Sequence, residues 1–206
     1  MMNKTFKFFF CLIVVCAALL VARSANASIV IGNAVNGANN GQTLTNGTPI
    51  CASTTVAFPG TIDSISVLAS STPQVDMGVG IYSNNGGTGR PNAPLVTDMT
   101  GTTPASKDWA TTTISLSVTP GTTYWLCVWM NRAAANFYYN NTSAGYQVGY
   151  ALSNVLTWPT WPNPFNTNTF NTTRRVAIYA NYTPSSLNSH LGVIGAMTVK
   201  GNLTVK

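Results

Sequence analysis

Apolar and polar residues alternate near the middle of the chain, in two consecutive segments that predict the centre of the fold. From Thr113 to Val118 every second residue is apolar, which is the pattern of a strand with one buried face. From Tyr124 to Met130 every residue is apolar, so this segment predicts a central strand that is covered on both faces. Between them, Thr119-Pro120-Gly121 has turn chemistry, because proline presets φ and glycine accepts a positive φ. The pattern therefore predicts a central hairpin.

The same period of two recurs along the chain, and no segment after Ala27 has a convincing helical period. Gln74 to Tyr82 is the clearest case, and Arg174 to Tyr182 places Val176, Ile178, Ala180 and Tyr182 on one face. Within 61–69, one face carries Ile65, Val67 and Ala69. Ile62 and Leu68 are out of phase with that face, which indicates a bulge. We therefore predict an all-β protein, an antiparallel β-sandwich or jelly roll. Further strands are predicted at 28–31, 49–58 and 95–100, an aromatic hairpin at 137–140 and 146–152, a surface connection at 32–48 and a loop at 84–94.

The first 27 residues have the three parts of a secretory signal peptide. Lys4 and Lys7 precede an apolar run of 14 residues at 8–21, and Ala25-Asn26-Ala27 is a small-x-small cleavage site. The run is short for a membrane span, although a retained N-terminal anchor is the alternative. We expect cleavage near Ala27, export to the cell surface or beyond, and no membrane span after processing. The domains are then 1–27 signal peptide, 28–183 β-sandwich, and 184–206 linker and repeat tail.

Charged residues are scarce in the processed chain, which narrows the classes of function. Beyond residue 27 there are seven Lys and Arg residues, four Asp and no Glu, and the cations are scattered. A nucleic-acid surface is therefore not expected. His190 is the only histidine and lies beyond the predicted sandwich, so a hydrolase is a distant third choice and a zinc site is excluded. No cofactor is predicted except, at most, a structural calcium ion held by loop oxygens. The aspartates are expected at turns and strand ends: Asp63, Asp76, Asp98 and Asp108.

Two cysteines, Cys51 and Cys127, follow the signal peptide. In an exported chain they allow one intramolecular disulfide, which would close a loop of about 75 residues and stabilise the fold by about 4 kcal/mol. The alternative is a pair of buried thiols that pack as small apolar groups.

Several segments together resemble a known class of module. They are TIDSISVLASS, VDMGVGIYSNNGG, WATTTISLSVTPGTTYWLCV, PNPF and RRVAIYANY, and the match extends over about residues 43–183. This part of the chain resembles β-sandwich modules of large exported prokaryotic surface proteins, which are similar in outline to jelly-roll carbohydrate-binding modules. The resemblance implies a jelly-roll fold and a surface role, and it brings no catalytic residue with it.

A proline-rich aromatic segment near residue 160 is the candidate ligand site. Aromatic rings on a stiff loop could form a flat platform on which sugar rings stack, while nearby amides bond the sugar hydroxyls. The alternative is that the loop folds down as a lid over Trp125 and Trp129. The predicted ligand-binding residues are Trp158, Trp161, Phe165 and Asn163, extended by Tyr138, Tyr139 and Tyr146 and supported by Asn166, Asn168 and Tyr150.

The C-terminal tail repeats an apolar-x-Val-x-Gly-x unit from Leu191 onward. A lone strand cannot bury its apolar face, so the tail either joins the sheet edge of its own domain or pairs with another subunit or fibre. The predicted assembly-strand residues are Met197, Val199, Leu203 and Val205.

Taken together, the sequence favours a non-enzymatic exported binding module that adheres to glycan or to a surface protein through its aromatic loops. The second hypothesis is a structural subunit of an extracellular filament, a homo-oligomer assembled by strand addition through the C-terminal tail.

Overall fold

A computed structural model describes residues 28–35, 39–43, 48–131, 135–141, 148–151, 156–165, 167–171 and 174–185. Within these residues the protein is all-β, which confirms the predicted fold class. Among them there is no helix with the length and apolarity that a membrane crossing requires. The described strands are β1 Ile29–Gly32, β2 Asn39–Thr43, β3 Ile50–Thr55, β4 Gly60–Ser70, β5 Asp76–Asn85, β6 Arg90–Thr102, β7 Asp108–Val118, β8 Thr123–Met130, β9 Asn136–Asn141, β10 Val148–Ala151, β11 Thr167–Asn171, β12 Arg174–Val176 and β13 Ile178–Pro184.

The strands form two antiparallel sheets that pack face to face as a sandwich. In the first sheet, β13 lies between β1 and β4, and β7 pairs with the other side of β4. Strand β9 joins the end of β4 and also pairs with β12 and β2. The second sheet has the order β11–β10–β3–β8–β5–β6. The predicted signal peptide, Tyr146, Asn166 and the four predicted assembly-strand residues lie outside the described part of the chain.

The interior between the sheets is filled by the apolar positions of the alternating strands. Strand β8 contributes Leu126, Val128 and Met130, each fully buried, and its neighbour β5 in the same sheet contributes Met77, Val79 and Ile81. The first sheet contributes four alternate residues for which the sequence predicts an inward position. Each of them is at most 1% exposed: Val176, Ile178, Ala180 and Tyr182. The predicted bulge in β4 is also confirmed, as a register shift between Ile62 and Ser64.

Strand β8 is central, as its two apolar faces predict, because it pairs with β3 on one side and β5 on the other. Its second face points away from the interior, yet Trp125, Cys127 and Trp129 are at most 2% exposed. The outer face of the second sheet is therefore covered at β8.

The predicted central hairpin is wrong, because β7 and β8 belong to different sheets. Strand β7 pairs with β4, whereas β8 pairs with β3 and β5. The turn does reverse the chain, with Gly121 at φ 70°, but the Gly121 amide donates to the Val56 carbonyl oxygen and the chain crosses between the sheets. The apolar faces of β7 and β8 thus meet the same interior from opposite sides. Turn chemistry specifies a reversal and does not specify the pairing partner.

The predicted aromatic hairpin is wrong for the same reason. Strand β9 pairs with β4, β12 and β2 in the first sheet, whereas β10 pairs with β3 and β11 in the second. Two predicted connections also contain strands. Strands β5 and β6 extend through much of the predicted loop at 84–94 and leave a tight turn between Asn85 and Arg90, and β2 lies within the predicted surface connection at 32–48.

Cys51 and Cys127 form a disulfide, which confirms the first of the two alternatives. They lie directly opposite each other on β3 and β8, with their Cα atoms 4.0 Å apart. Both side chains are on the outer face of the second sheet and at most 1% exposed. The bond ties together residues 76 positions apart in the sequence.

Replacing both cysteines by alanine should lower the free energy of unfolding by about 2–4 kcal/mol, because the unfolded chain is then no longer restricted by the closed loop. Equilibrium urea unfolding measures the change. Wild-type protein unfolded with excess dithiothreitol is the control and should approach the variant. A difference below about 0.5 kcal/mol between the oxidised wild type and the variant would contradict a stabilising role.

Candidate functional site

The segment 156–165, here called the aromatic loop, lies on the outer face of the second sheet. It covers the outward side chains of β8 and closes a second apolar cluster outside the sandwich interior. The loop is therefore folded down over the outer side chains of β8, which is the position that the lid alternative predicts. The cluster contains Cys51, Tyr82, Trp125, Cys127 and Phe165, with Leu156 and Trp161 packed against it.

Two indoles of the aromatic loop meet a third on β8. The ring centroids of Trp158 and Trp161 lie 5.2 and 5.6 Å from that of Trp129, with interplanar angles of 77° and 74°. Such edge-to-face contacts are favourable because the positive edge of one ring meets the negative face of the other. Trp129 is 2% exposed, whereas Trp158 and Trp161 are both partly exposed. The two loop indoles thus cover the sheet and also form part of the protein surface.

Two glycines on the outer face of β5 provide the space for Trp161. A Cβ atom added to Gly78 would lie 3.2 Å from Trp161 Cζ2, and one added to Gly80 would lie 3.5 Å from Cη2. Glycine weakens a strand but lets another group approach the backbone closely. The indole nitrogen, Nε1, then donates to Met99 Sδ at 2.8 Å on the neighbouring strand β6. Gly78, Gly80 and Met99 are not among the predicted site residues, although two glycines on one face of a buried strand are a usable signal in the sequence.

Hydrogen bonds to the main chain hold the aromatic loop in place. The Tyr82 hydroxyl donates to the Pro162 carbonyl oxygen at 2.8 Å, and the Phe165 amide donates to the Asn92 carbonyl oxygen at 2.8 Å. Burial raises the pKa of Tyr82 well above its ordinary value, so the phenol keeps its proton and remains a donor well into the alkaline range. The loop is therefore fixed at both Pro162 and Phe165.

The predicted ligand residues of the loop differ in exposure. Phe165 is 3% exposed and packs edge-on against Tyr82 at 5.1 Å, so it supports the loop from beneath instead of contacting a ligand as expected. Asn163 is exposed, and the indoles of Trp158 and Trp161 are partly exposed. These three residues are the part of the predicted set that reaches the surface here.

Of the predicted tyrosines, Tyr138 and Tyr139 do not extend this surface. Phe137 on β9 is buried in the interior, so its neighbour Tyr138 points outward from the first sheet, on the opposite side of the sandwich. There its hydroxyl is 2.9 Å from Ser70 Oγ, and Lys107 Nζ lies 4.7 Å from its ring centroid. Tyr139 packs against the interior cluster, with Arg174 over its ring. The separation follows from the crossing between β9 and β10.

Asp76 and Asp108 lie at strand ends, as expected, whereas Asp63 and Asp98 lie within β4 and β6. Asp63 Oδ2 accepts a hydrogen bond from Thr183 Oγ1 at 2.6 Å, and Asp98 Oδ1 accepts from the Thr100 amide at 2.7 Å. Asp76 and Asp108 are the first residues of β5 and β7. In the described part of the chain, no group of three or more His, Cys, Asp and Glu side chains could hold a metal ion.

No protein-family model matches the chain, and no curated protein is similar enough to count as a match. The function is therefore inferred from the chemistry of the chain and the geometry of its surface.

Replacing Gly78 by alanine should destabilise the fold by about 1–3 kcal/mol, because the new methyl group collides with Met99 and crowds Trp161. Urea unfolding gives the stability, and near-ultraviolet circular dichroism reports the packing of the indoles. The matched control is Gly86→Ala, where an added Cβ has nothing within 4 Å. Equal stability and equal spectra for the two variants would show that Trp161 does not rest on this strand.

Proposed function

We propose that the chain is an exported, non-enzymatic surface module that binds glycan through its aromatic loop. Trp158 and Trp161 would stack on sugar rings, and Asn163 would bond sugar hydroxyl groups. The observation that carries the proposal is the partial exposure of two indoles that are held rigidly from beneath, on a face where the rest of the aromatic cluster is buried.

Rigid support favours binding because little side-chain freedom is lost when the ligand arrives. Trp129 lies under both loop indoles, and Met99 accepts the hydrogen bond from Trp161. Rings of this kind present an apolar face to the C–H groups of a sugar, and adjacent amides supply the directional bonds.

Export is supported by two features of the chain. The first 27 residues have the composition of a signal peptide, and the Cys51–Cys127 disulfide suits an oxidising compartment. The non-enzymatic part of the proposal rests on the shortage of acid–base residues in the sequence and on the hydrogen bonds that Asp63 and Asp98 accept from neighbouring threonines.

Trp158→Ala should reduce retention on an immobilised glycan array by tenfold or more, because one stacking ring is lost. Asn163→Ala, at an exposed position, should weaken binding without disturbing the core. The control is Tyr138→Ala on the opposite face of the sandwich, which should bind as the wild type does. Near-ultraviolet circular dichroism checks folding.

Equal retention of folded wild-type and Trp158→Ala protein would remove the aromatic loop as the glycan site. Retention on surface proteins but on no glycan would mean that the ligand of the aromatic loop is a protein and not a glycan.

A second candidate function is assembly into a filament through the C-terminal tail. The observation that favours it is the position of β13, which pairs with β1 through residues 179–182 and ends at Pro184. Among the described strands, β1 pairs only with β13, so its other edge is open, and Val30 on it is 48% exposed. An open edge accepts an added strand, and the tail continues the chain from this end of the sheet.

Deleting residues 187–206 should convert an assembly into a monomer, because the added strand is removed. Multi-angle light scattering gives the mass of the two proteins after removal of the signal peptide. Val30→Lys is the companion variant, since a charge on the edge strand should also prevent strand addition. A monomer before and after the deletion would end this hypothesis.

A further inference from the structure

The aromatic loop contains a tandem repeat in its sequence. Residues 157–162 read TWPTWP, so a Thr-Trp-Pro unit occurs twice without a residue between the copies. Trp158 and Trp161 therefore occupy equivalent positions in the two copies. A binding element that is repeated suits a ligand that is itself built from repeated units.

The repeat in the sequence is also a repeat in the structure. Each indole packs edge-on against the same ring, Trp129, with centroid distances of 5.2 Å for Trp158 and 5.6 Å for Trp161 and interplanar angles of 77° and 74°. Both indoles are partly exposed, and the threonine before each of them, Thr157 or Thr160, is exposed. The Thr160 amide donates to the Thr157 carbonyl oxygen at 2.8 Å, so a turn brings the second copy beside the first. The loop thus presents two adjacent sets of one indole and one hydroxyl group, within reach of adjoining units of one chain.

The aromatic loop and the strands directly under it are uncharged. No Asp, Glu, Lys, Arg or His occurs from residue 133 to residue 173, a range that contains the loop and its neighbours in the sequence. Six outward residues of β8 and β5 lie under the loop, and none of them is charged: Trp125, Cys127, Trp129, Gly78, Gly80 and Tyr82. Cys127 is bonded to Cys51, so it cannot ionise as a thiol.

No described cation lies on the face that the aromatic loop covers. Arg90 is the only lysine or arginine on the described strands of the second sheet, and it pairs with Asn85. The neighbouring Asn84 faces the loop side, where its side chain accepts a hydrogen bond from Trp125 Nε1 at 3.0 Å. Because successive residues of a strand point to opposite faces and paired residues share a face, Arg90 points away from the loop. None of the described cations is therefore placed to pair with the carboxylate or sulfate groups of an acidic saccharide.

Asp76 is the charged residue on the loop side of β5. It lies two residues before Gly78, so the two residues point to the same face, and Gly78 is in contact with Trp161. Asn131 Nδ2 donates to Asp76 Oδ2 at 3.4 Å. A carboxylate at this margin repels an acidic chain, and one carboxylate cannot pair with an amino group on every unit of a basic chain. The charges therefore favour a neutral ligand.

We propose that the two Thr-Trp-Pro copies are adjacent subsites for consecutive units of one neutral polysaccharide chain. One pyranose ring stacks on Trp158 and the next on Trp161, while Thr157 and Thr160 bond hydroxyl groups of the two units. Two linked units bind more tightly than one, because the second contact forms within a complex that already exists. This inference rests on the proposed binding of glycan by the aromatic loop and adds that the ligand is neutral and polymeric.

Retention of the chain without its signal peptide on immobilised polysaccharides tests the charge of the ligand. The neutral panel is β-glucan, xylan, mannan and galactan, the acidic panel is polygalacturonate and alginate, and chitosan is the basic polymer. We expect retention on at least one neutral polymer, unchanged between low and high salt because no ion pair forms. Preferential retention on an acidic or basic polymer would overturn the neutral ligand and keep glycan binding. Retention on no polysaccharide would overturn both this inference and the proposed function.

Isothermal titration with the mono-, di- and hexasaccharide of the retained neutral polymer tests the pair of subsites. The disaccharide should bind at least tenfold more tightly than the monosaccharide, and the hexasaccharide should bind at least as tightly as the disaccharide. Equal affinities for the monosaccharide and the hexasaccharide would leave glycan binding in place and overturn the paired subsites.

Variants locate the two subsites on the repeat. In folded Trp158→Ala the disaccharide should bind no more tightly than the monosaccharide, because only one ring remains. Trp161 also packs on β5, so the second copy is tested through its threonine: Thr160→Val, like Thr157→Val, removes one exposed hydroxyl and should weaken disaccharide binding by about threefold or more. The matched control is Thr113→Val, at an exposed position of β7 in the first sheet, which should bind as the wild type does.

Near-ultraviolet circular dichroism confirms that each variant is folded. Unchanged disaccharide affinity in folded Trp158→Ala and in both loop threonine variants would show that the repeat does not form the subsites. Equal weakening by Thr113→Val would contradict the location in the same way.

Discussion

The structure depends on covering both faces of β8. One face lies in the sandwich interior, and the other carries Trp125, Cys127 and Trp129 away from it. A buried tryptophan removes about 150–250 Å² from water, which at about 25 cal/mol per Å² is roughly 4–6 kcal/mol for each ring as an upper estimate. For two such rings this is comparable to the total stability of a typical domain. A segment that covers the outer face is therefore a physical requirement of this fold.

That requirement links the fold to the proposed function. The aromatic loop covers β8 with the same indoles that reach the surface, so its shape is set by packing before any ligand arrives. Gly78 and Gly80 have no side chains and so leave room for Trp161 on the outer face of β5. The Cys51–Cys127 disulfide lies under the aromatic loop. A flexible aromatic loop would lose much more conformational freedom on binding than this braced one.

Two polar side chains, Arg175 and Asn33, connect strands of the first sheet that are not neighbours. In a chain with few charges, Arg175 and the buried Asn33 bind each other's neighbouring main chain and join β12 to the edge strand β1.

The sequence by itself determined the fold class, the central position of β8, the bulge in β4 and the inward residues of β13, because each follows from local alternation along one strand. It left the state of Cys51 and Cys127 and the role of the aromatic loop as open alternatives. Only the tertiary structure decided that β7 and β8, and likewise β9 and β10, lie in opposite sheets, which separates Tyr138 from Trp158. Only the tertiary structure brought Arg175 to β1 and β3. Strand partners depend on the total burial of many distant segments, and period-2 alternation carries no information about which strand will be the neighbour.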